Sequence, residues 1–118
     1  MEGYKRPLVR IFLENFKNAA KDNFDLSRRD KNMDTLTGLG LTVQDCRNII
    51  NSLVVEDCCR QPEDDRDDVR GGSVWFFGTK IGDREIYIKL KLVDLGDKKL
   101  AKCLSFHTAD HTLQYPLK

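Results

Sequence analysis

Residues 84–92 read Arg-Glu-Ile-Tyr-Ile-Lys-Leu-Lys-Leu, and this alternation of apolar and polar side chains predicts a β-strand. Successive side chains of a strand point to opposite faces of a sheet. One face is therefore aliphatic, and the other carries Tyr87, Lys89 and Lys91. We expect a strand that covers a core with its first face and shows a phenol and two ammonium groups on its second.

A second alternating stretch covers residues 100–108. One parity holds Leu100, Lys102, Leu104 and Phe106, and the other holds Cys103, Ser105 and His107. If the two strands form a meander over one core, Ser105 and His107 join the polar face of residues 84–92. A phenol, ammonium groups and an imidazole together suit a phosphodiester better than a metal ion or a hydride.

Upstream, the apolar residues change to helical spacing. Pro7 favours a helix start, and a stripe predicts that this first helix runs to about Lys21; the stripe is Leu8, Ile11, Phe12 and Phe16. Ser27 with Asp30 resembles a capping box and predicts a short second helix, and Thr42 with Asp45 repeats that signature before a third.

Between the third helix and the first strand the apolar pattern is lost. Residues 55–60 are expected to form one more helical turn. Residues 61–72 contain Pro62, several acids and Gly71-Gly72, and are expected to be a solvated, mobile loop. A strand over residues 73–79 then precedes those at 84–92 and 100–108. Helices followed by an antiparallel meander predict a single α+β domain over residues 1–118.

Composition limits the function classes. A chain of 118 residues that is 40% hydrophobic and 33% charged has room for one modest core. It lacks an apolar run near the roughly 20 residues of a membrane span, so we expect a cytoplasmic protein without a membrane partner. Its four cysteines contain no CxxC pair, which argues against a zinc ribbon or a thioredoxin-like site and for reduced thiols.

The charge is unevenly distributed although its formal net value is only +1. Residues 56–68 hold seven acids against two arginines, whereas residues 69–118 hold nine Lys or Arg against five acids. The near-neutral total argues against generic coating of nucleic acid, but the strand half is cationic.

His107 is the candidate for proton transfer, because an imidazole titrates near neutral pH. The competing interpretation is a surface histidine without a role. His107 and His111 have the spacing of two metal ligands on a helix, but a third ligand is not evident, so neither a metal nor another cofactor is expected.

Five further candidates concern phosphate and base binding. Lys89 and Lys91 would hold phosphate, or else form the wetted face of the sheet. Arg60 offers a bidentate fork to phosphate, or pairs with the acids around it. Trp75 would stack on a base, although Trp75, Phe76 and Phe77 cannot all share one face. Ser105 would share the substrate face with His107, but serine catalysis is not favoured because there is no GxSxG motif.

Several segments together resemble the MqsR family of toxins over roughly residues 6–107. They are Leu39-Gly40-Leu41, Asn48-Ile49-Ile50-Asn51-Ser52-Leu53, Val55-Glu56-Asp57-Cys58-Cys59-Arg60, Val74-Trp75, Ile86-Tyr87-Ile88-Lys89-Leu90 and Leu104-Ser105-Phe106. The resemblance implies a RelE-like α+β fold, metal-independent cleavage of mRNA, and a cognate antitoxin protein as partner.

By position, the resemblance assigns catalytic roles to Arg60, Tyr87 and His107. The family has lysine where this chain has Arg60 and His107, and glutamine where it has Phe76. Histidine eases proton transfer at neutral pH but loses a permanent cation. Residues 108–118 extend past the match and would either cover a sheet edge or line the site.

Two functions remain open at this point. The first is an mRNA endoribonuclease toxin, acting on free or ribosome-bound mRNA, in which His107 is the acid or base, Tyr87 orients the nucleotide, and Arg60 with Lys89 or Lys91 holds phosphate. The alternative is a non-catalytic module that binds RNA or a protein. The sequence leaves the oligomeric state open.

Overall fold

The computed structural model describes residues 6–118, so the first five residues of the predicted domain lie outside it. The chain is an α+β protein in which helices precede most of the strands. The elements are α1 (Arg6–Ala20), β1 (Phe24–Leu26), α2 (Asp30–Leu39), α3 (Val43–Asn51), a 3₁₀ turn (Val55–Asp57), β2 (Cys58–Asp64), β3 (Ser73–Ile81), β4 (Arg84–Asp94) and β5 (Lys99–Thr108).

The strands form one sheet in the order β1-β5-β4-β3-β2. Strands β2 to β5 are an antiparallel meander, as the alternating stretches predict for β3 to β5. Strand β1 pairs with β5 in parallel, so the expectation of a purely antiparallel sheet is wrong at this edge. Strand β1 was not predicted because its three residues are too few to show an alternation and because it lies between two helices.

The sequence predicts a capping box at the start of both α2 and α3, and the structure has one of the two. At α3 the capping box is confirmed: the Asp45 N–H donates to Thr42 Oγ1 at 3.0 Å, and the Thr42 N–H donates to Asp45 Oδ2 at 2.8 Å. The capping box predicted at Ser27 is wrong. The Ser27 N–H donates to the Cys103 carbonyl at 2.9 Å, which continues the β1–β5 ladder, and α2 begins at Asp30.

Helix α1 buries a different stripe from the predicted one. Phe12 and Phe16 are buried as expected, but Leu8 and Ile11 are exposed. The remaining buried positions are Val9, Leu13 and Ala20. The helix is therefore rotated so that the 9-12-13-16-20 face meets the sheet.

All three helices lie on one face of the sheet, which we call the inner face. The inner face is formed by Trp75, Phe77, Ile86, Ile88, Leu90, Ala101, Cys103 and Phe106. Phe12 stacks on Trp75 with ring centroids 4.7 Å apart. The opposite side, the outer face, carries Val74, Phe76, Gly78, Tyr87, Lys89, Lys91 and His107.

Strand β2 replaces most of a region predicted to be helical or unstructured. The 3₁₀ turn ends at Asp57, and residues up to Asp64 pair with β3 through an irregular register. The reason is that Cys58 and Cys59 are buried on opposite sides of the sheet, each in a different hydrophobic cluster. Within residues 58–72, strand β2 covers the part up to Asp64. The remaining residues 65–72, which we call the acidic loop, connect β2 to β3.

Within residues 6–118 the longest helices are too short and too polar to cross a membrane.

Candidate functional site

Tyr87 and His107 lie directly opposite each other on β4 and β5, on the outer face. Their ring centroids are 5.6 Å apart with an interplanar angle of 46°. The His107 Nδ1 lies 3.1 Å from the Thr108 carbonyl oxygen, which can only accept, so this contact requires the proton on Nδ1. In the neutral imidazole, Nε2 is then an available proton acceptor.

Arg60 reaches the same region from β2. Its guanidinium carbon lies 4.4 Å from the centroid of the Phe76 ring, and the group also donates a hydrogen bond to Glu63. Burial raises the pKa of Tyr87, and the nearby Arg60 charge acts in the opposite direction. Tyr87 is consequently a neutral phenol, able to donate one hydrogen bond and accept others.

Lys89 completes the cationic part of the outer face. It is the direct partner of Phe76 in the β3–β4 register, and its Nζ lies 5.9 Å from the centroid of that ring. The Phe76 ring is therefore within cation–π range of both Arg60 and Lys89.

A groove of about 360 Å³ opens beside these residues. One wall is the sheet, with Cys59, Arg60, Tyr87 and His107. The other wall is the segment after β5, with Ala109, Asp110, His111, Thr112, Leu113 and Gln114. Residues 109–114, which belong to the segment expected either to cover a sheet edge or to line the site, thus border this groove.

We call residues 109–118 the strap, and Glu85 holds it in place. The Ala109 N–H donates to the Glu85 carbonyl oxygen at 2.8 Å. The Leu113 N–H donates to Glu85 Oε1 and the Tyr115 hydroxyl donates to Glu85 Oε2, both at 2.9 Å. One residue of β4 thus fixes three points of the strap through its backbone and both carboxylate oxygens.

Gly78 makes room for the strap on β3. A Cβ at this position would lie 2.5 Å from the Tyr115 hydroxyl oxygen and 2.6 Å from Leu113 Cδ1. Both distances are too short for non-bonded carbon contacts. The absence of a side chain at Gly78 therefore allows Leu113 and Tyr115 to pack directly on the sheet.

Lys91 does not join the candidate site. Its side chain is only 3% exposed, and its Nζ lies 2.8 Å from Asp65 Oδ2 and 2.9 Å from Asp68 Oδ2. Burial works to lower the pKa of Lys91, but the two carboxylates outweigh it and the net shift is upward. The Lys91 ammonium, predicted from the sequence to bind phosphate, is instead paired with two carboxylates of the acidic loop.

Two further predicted substrate-binding residues lie elsewhere. Trp75 is on the inner face against Phe12, so it is on the other side of the sheet from Tyr87. Ser105 pairs with Lys89 but is only 4% exposed and is not among the residues that line the groove. The structure thus brings Arg60, Tyr87 and His107 together in the groove. Lys89 lies beside Tyr87 on the outer face without lining the groove, and Lys91, Trp75 and Ser105 are left out.

Cys59 lines the groove as a neutral thiol. Burial raises its pKa to about 12, with the adjacent Cys58 acting in the same direction. A thiol with this pKa is a poor nucleophile at neutral pH. The chemistry available in the groove is therefore that of an imidazole, a phenol and cations.

Sequence reasoning missed Glu85, Gly78 and the placement of His111. Glu85 sits at the start of a strand, where a carboxylate looks like an ordinary solvated residue. Gly78 follows three aromatic residues on a strand, and a glycine in such a place indicates close approach of another segment. That signal was available before the structure.

Comparison of the chain with protein-family models, curated proteins and solved structures found no match.

Proposed function

We propose that this chain is an endoribonuclease that cleaves mRNA through attack of the ribose 2′-hydroxyl on the neighbouring phosphate. The observation that carries the proposal is the direct pairing of Tyr87 with His107 in a groove that Arg60 also lines. Cleavage of this type needs a base, an acid and a positive charge near the phosphate, with no bound metal required in principle.

His107 is the proton-transfer group of the proposal. Its Nδ1 contact with Thr108 leaves Nε2 as the acceptor in the neutral ring, which is the form that a general base requires. The imidazole stands on a paired strand rather than on a loop, so its position relative to Tyr87 is set by the β4–β5 register.

Arg60 and Lys89 hold the phosphate. A guanidinium presents two parallel N–H donors to phosphate oxygens, and the Lys89 ammonium adds a second charge from the same side. The Arg60–Glu63 ion pair is about half exposed, so exchanging Glu63 for phosphate costs little. Tyr87 orients the nucleotide with its hydroxyl and the face of its ring.

A RelE-like toxin fold belongs to the same proposal. It is supported by the helices on one face of a meander, by the groove on the other face, and by the MqsR resemblance of residues 6–107. Such a toxin inhibits translation and growth in the cytoplasm by acting on free or ribosome-bound mRNA, and is silenced by a cognate antitoxin protein.

The test is induced expression of the chain with growth followed and 5′ RNA ends mapped. We expect growth arrest with new 5′-hydroxyl ends for the wild-type chain, and neither for His107→Ala. The matched control is Lys98→Ala, which removes an exposed charge from the turn before β5 and should behave like the wild type. Cleavage that persists in both His107→Ala and Tyr87→Phe would overturn the site assignment.

A second candidate is a non-catalytic module that binds RNA or a protein. The observation that favours it is the engagement of Arg60 by Glu63 and Phe76, which ties the strongest phosphate ligand to the protein itself. This candidate predicts binding without cleaved ends, so the same 5′-end mapping separates the two.

A further inference from the structure

The strap brings a second imidazole into the groove. His111 lines the same groove as His107, Arg60 and Tyr87, and its side chain is open to solvent. The two histidines stand on different walls, His107 on the sheet and His111 on the strap. A ligand in the groove would therefore have imidazoles from two different segments beside it.

The position of His111 is fixed by the contacts that flank it. Ala109, two residues before, and Leu113, two residues after, both donate their N–H groups to Glu85. Leu113 is also only 8% exposed, packed in the outer cluster with Phe76. His111 is thus carried on a short arch with both ends anchored, which suits a group that must meet a substrate in one geometry.

We propose that His111 is the general acid of the cleavage reaction and that His107 is its general base. This inference rests on the proposed endoribonuclease function. His107 Nε2 takes the proton from the 2′-hydroxyl as the O2′–P bond forms. The His111 imidazolium gives a proton to the departing 5′-oxygen as the P–O5′ bond breaks. The products are a 2′,3′-cyclic phosphate and a 5′-hydroxyl, and the two rings exchange their protons with water.

The division of roles follows from the walls of the groove. In an in-line displacement the attacking and leaving oxygens lie on opposite sides of phosphorus. Two imidazoles carried by different segments of the groove can therefore serve one oxygen each. The Nδ1–Thr108 contact gives His107 the tautomer of a base, which leaves His111 to supply the proton.

Titratable and charged side chains from several elements share the groove with the two imidazoles. Strand β2 contributes Cys59 and Arg60, and β4 contributes Tyr87. The strap contributes Asp110, whose Oδ2 lies 3.3 Å from Lys31 Nζ of α2. Strand β3 contributes no titratable side chain beneath them, since Phe76 and Gly78 occupy its outer positions.

The test compares two RNA oligonucleotides of the same sequence, one with the natural 5′-oxygen at the cleaved bond and one with a bridging 5′-sulfur. A thiolate leaves without protonation, so the sulfur substrate does not need a general acid. We expect His111→Ala to slow cleavage of the oxygen substrate at least about 100-fold. The same variant should cleave the sulfur substrate at close to the wild-type rate.

His107→Ala is the contrasting variant, because loss of the base should slow both substrates. Equal losses on the two substrates for His111→Ala, or no loss, would overturn the role of His111 while leaving the proposed nuclease intact. A wild-type chain that cleaves neither RNA would overturn both. Circular dichroism and the unchanged activity of Lys98→Ala control for folding and for handling of the variants.

Discussion

Asn32 on α2 and Phe106 on β5 are joined by a hydrogen bond of 2.9 Å, in which the Phe106 N–H donates to Asn32 Oδ1. The Asn32 Nδ2 group donates to the carbonyls of Leu104 at 3.1 Å and Ser27 at 2.9 Å. Strand β1 ends at Leu26. Beyond that point, the fully buried Asn32 amide supplies the hydrogen bonds that the edge of β5 would otherwise lack.

The same amide spans an irregularity that decides where His107 points. The β4–β5 register pairs Lys89 with Ser105 and Leu90 with Cys103, which leaves Leu104 as an extra residue. Ala101 and Cys103 are on the inner face, and a regular strand would carry His107 to that face as well. The bulge reverses the parity, so Phe106 points inward and His107 points to the groove.

Asn32→Ala is therefore expected to affect both stability and the site. It leaves the Phe106 N–H and the Leu104 carbonyl without partners, which costs about 1–3 kcal/mol of unfolding free energy for each buried group. Urea denaturation measures this loss, with the exposed Asn48→Ala as the control. RNA cleavage should fall further than the folded fraction does, since the bulge holds His107. Normal cleavage at full folding would contradict the role of the bulge.

Sequence reasoning reached the right face for His107 by a partly wrong route. It took Leu100 and Leu104 as inward residues together with Phe106, whereas Leu104 packs in the outer cluster. Alternation of side chains is a local property and was enough for residues 84–90. The bulge depends on Asn32, which is more than 70 residues away in the chain, and no local pattern reports such a partner.

The same limit explains Lys91 and the strap. Lys91 has the correct parity for the outer face, but the pairing with Asp65 and Asp68 depends on how the acidic loop folds back. The strap is ordered by Glu85 and by the space above Gly78 rather than by a pattern of its own. Strands β3, β4 and β5 were thus predictable, whereas β1, β2 and the partners of the side chains were not.

Lys89 and Lys91 should differ in their contribution to RNA binding. Lys89→Gln removes a charge that faces the site, so we expect weaker binding and a slope of log affinity against log salt that is smaller by about one. Lys91→Gln should leave that slope unchanged, because its charge is already neutralised by two carboxylates. Fluorescence anisotropy over a salt series measures both. Equal slope changes would mean that RNA displaces the acidic loop.

The ion pairs of Lys91 also predict a pH dependence of stability. Hydrogen bonding to Lys91 lowers the pKa of Asp65, and contacts with Arg70 and Lys91 lower the pKa of Asp68, both from a usual 3.8. A carboxyl group whose pKa is lowered by folding stabilises the fold fully when the pH is above its usual, unfolded-state pKa. This contribution is lost as the pH falls through the lowered, folded-state pKa.

Lys91→Met should therefore lower the unfolding free energy by a constant amount from about pH 5 to about pH 9. The difference from the wild type should shrink below a pH of about 3.8. Chemical denaturation over a pH series measures it, with Lys89→Met as the control that should show little change. A difference that grows at acid pH would show that the network does not stabilise the fold.

Cys59 should be unreactive although it lines the groove. With a pKa of about 12, roughly one thiol in ten thousand is ionised at pH 8. Iodoacetamide should leave both the native chain and its RNA cleavage unchanged, while all four cysteines react after denaturation. Mass spectrometry counts the adducts. Rapid single labelling of the native chain would contradict the burial of this thiol.

Gly78→Ala provides a way to displace the strap without substituting any residue that lines the groove. The added Cβ would overlap the Tyr115 hydroxyl and Leu113, so the strap must lift and its hydrogen bonds to the Glu85 carboxylate must lengthen. The backbone of Gly78 needs no left-handed conformation, so the sheet itself accepts alanine. We expect His111 to leave its place in the groove.

The variant should then resemble His111→Ala: slow on the oxygen-containing RNA and close to the wild type on the bridging-sulfur RNA. Proteolysis within residues 109–118 should become faster, which reports the release of the strap independently of activity. Gly82→Ala is the matched control, because a Cβ there meets open space, although its positive φ makes alanine mildly strained. A released strap with full cleavage of both substrates would show that the groove works without His111.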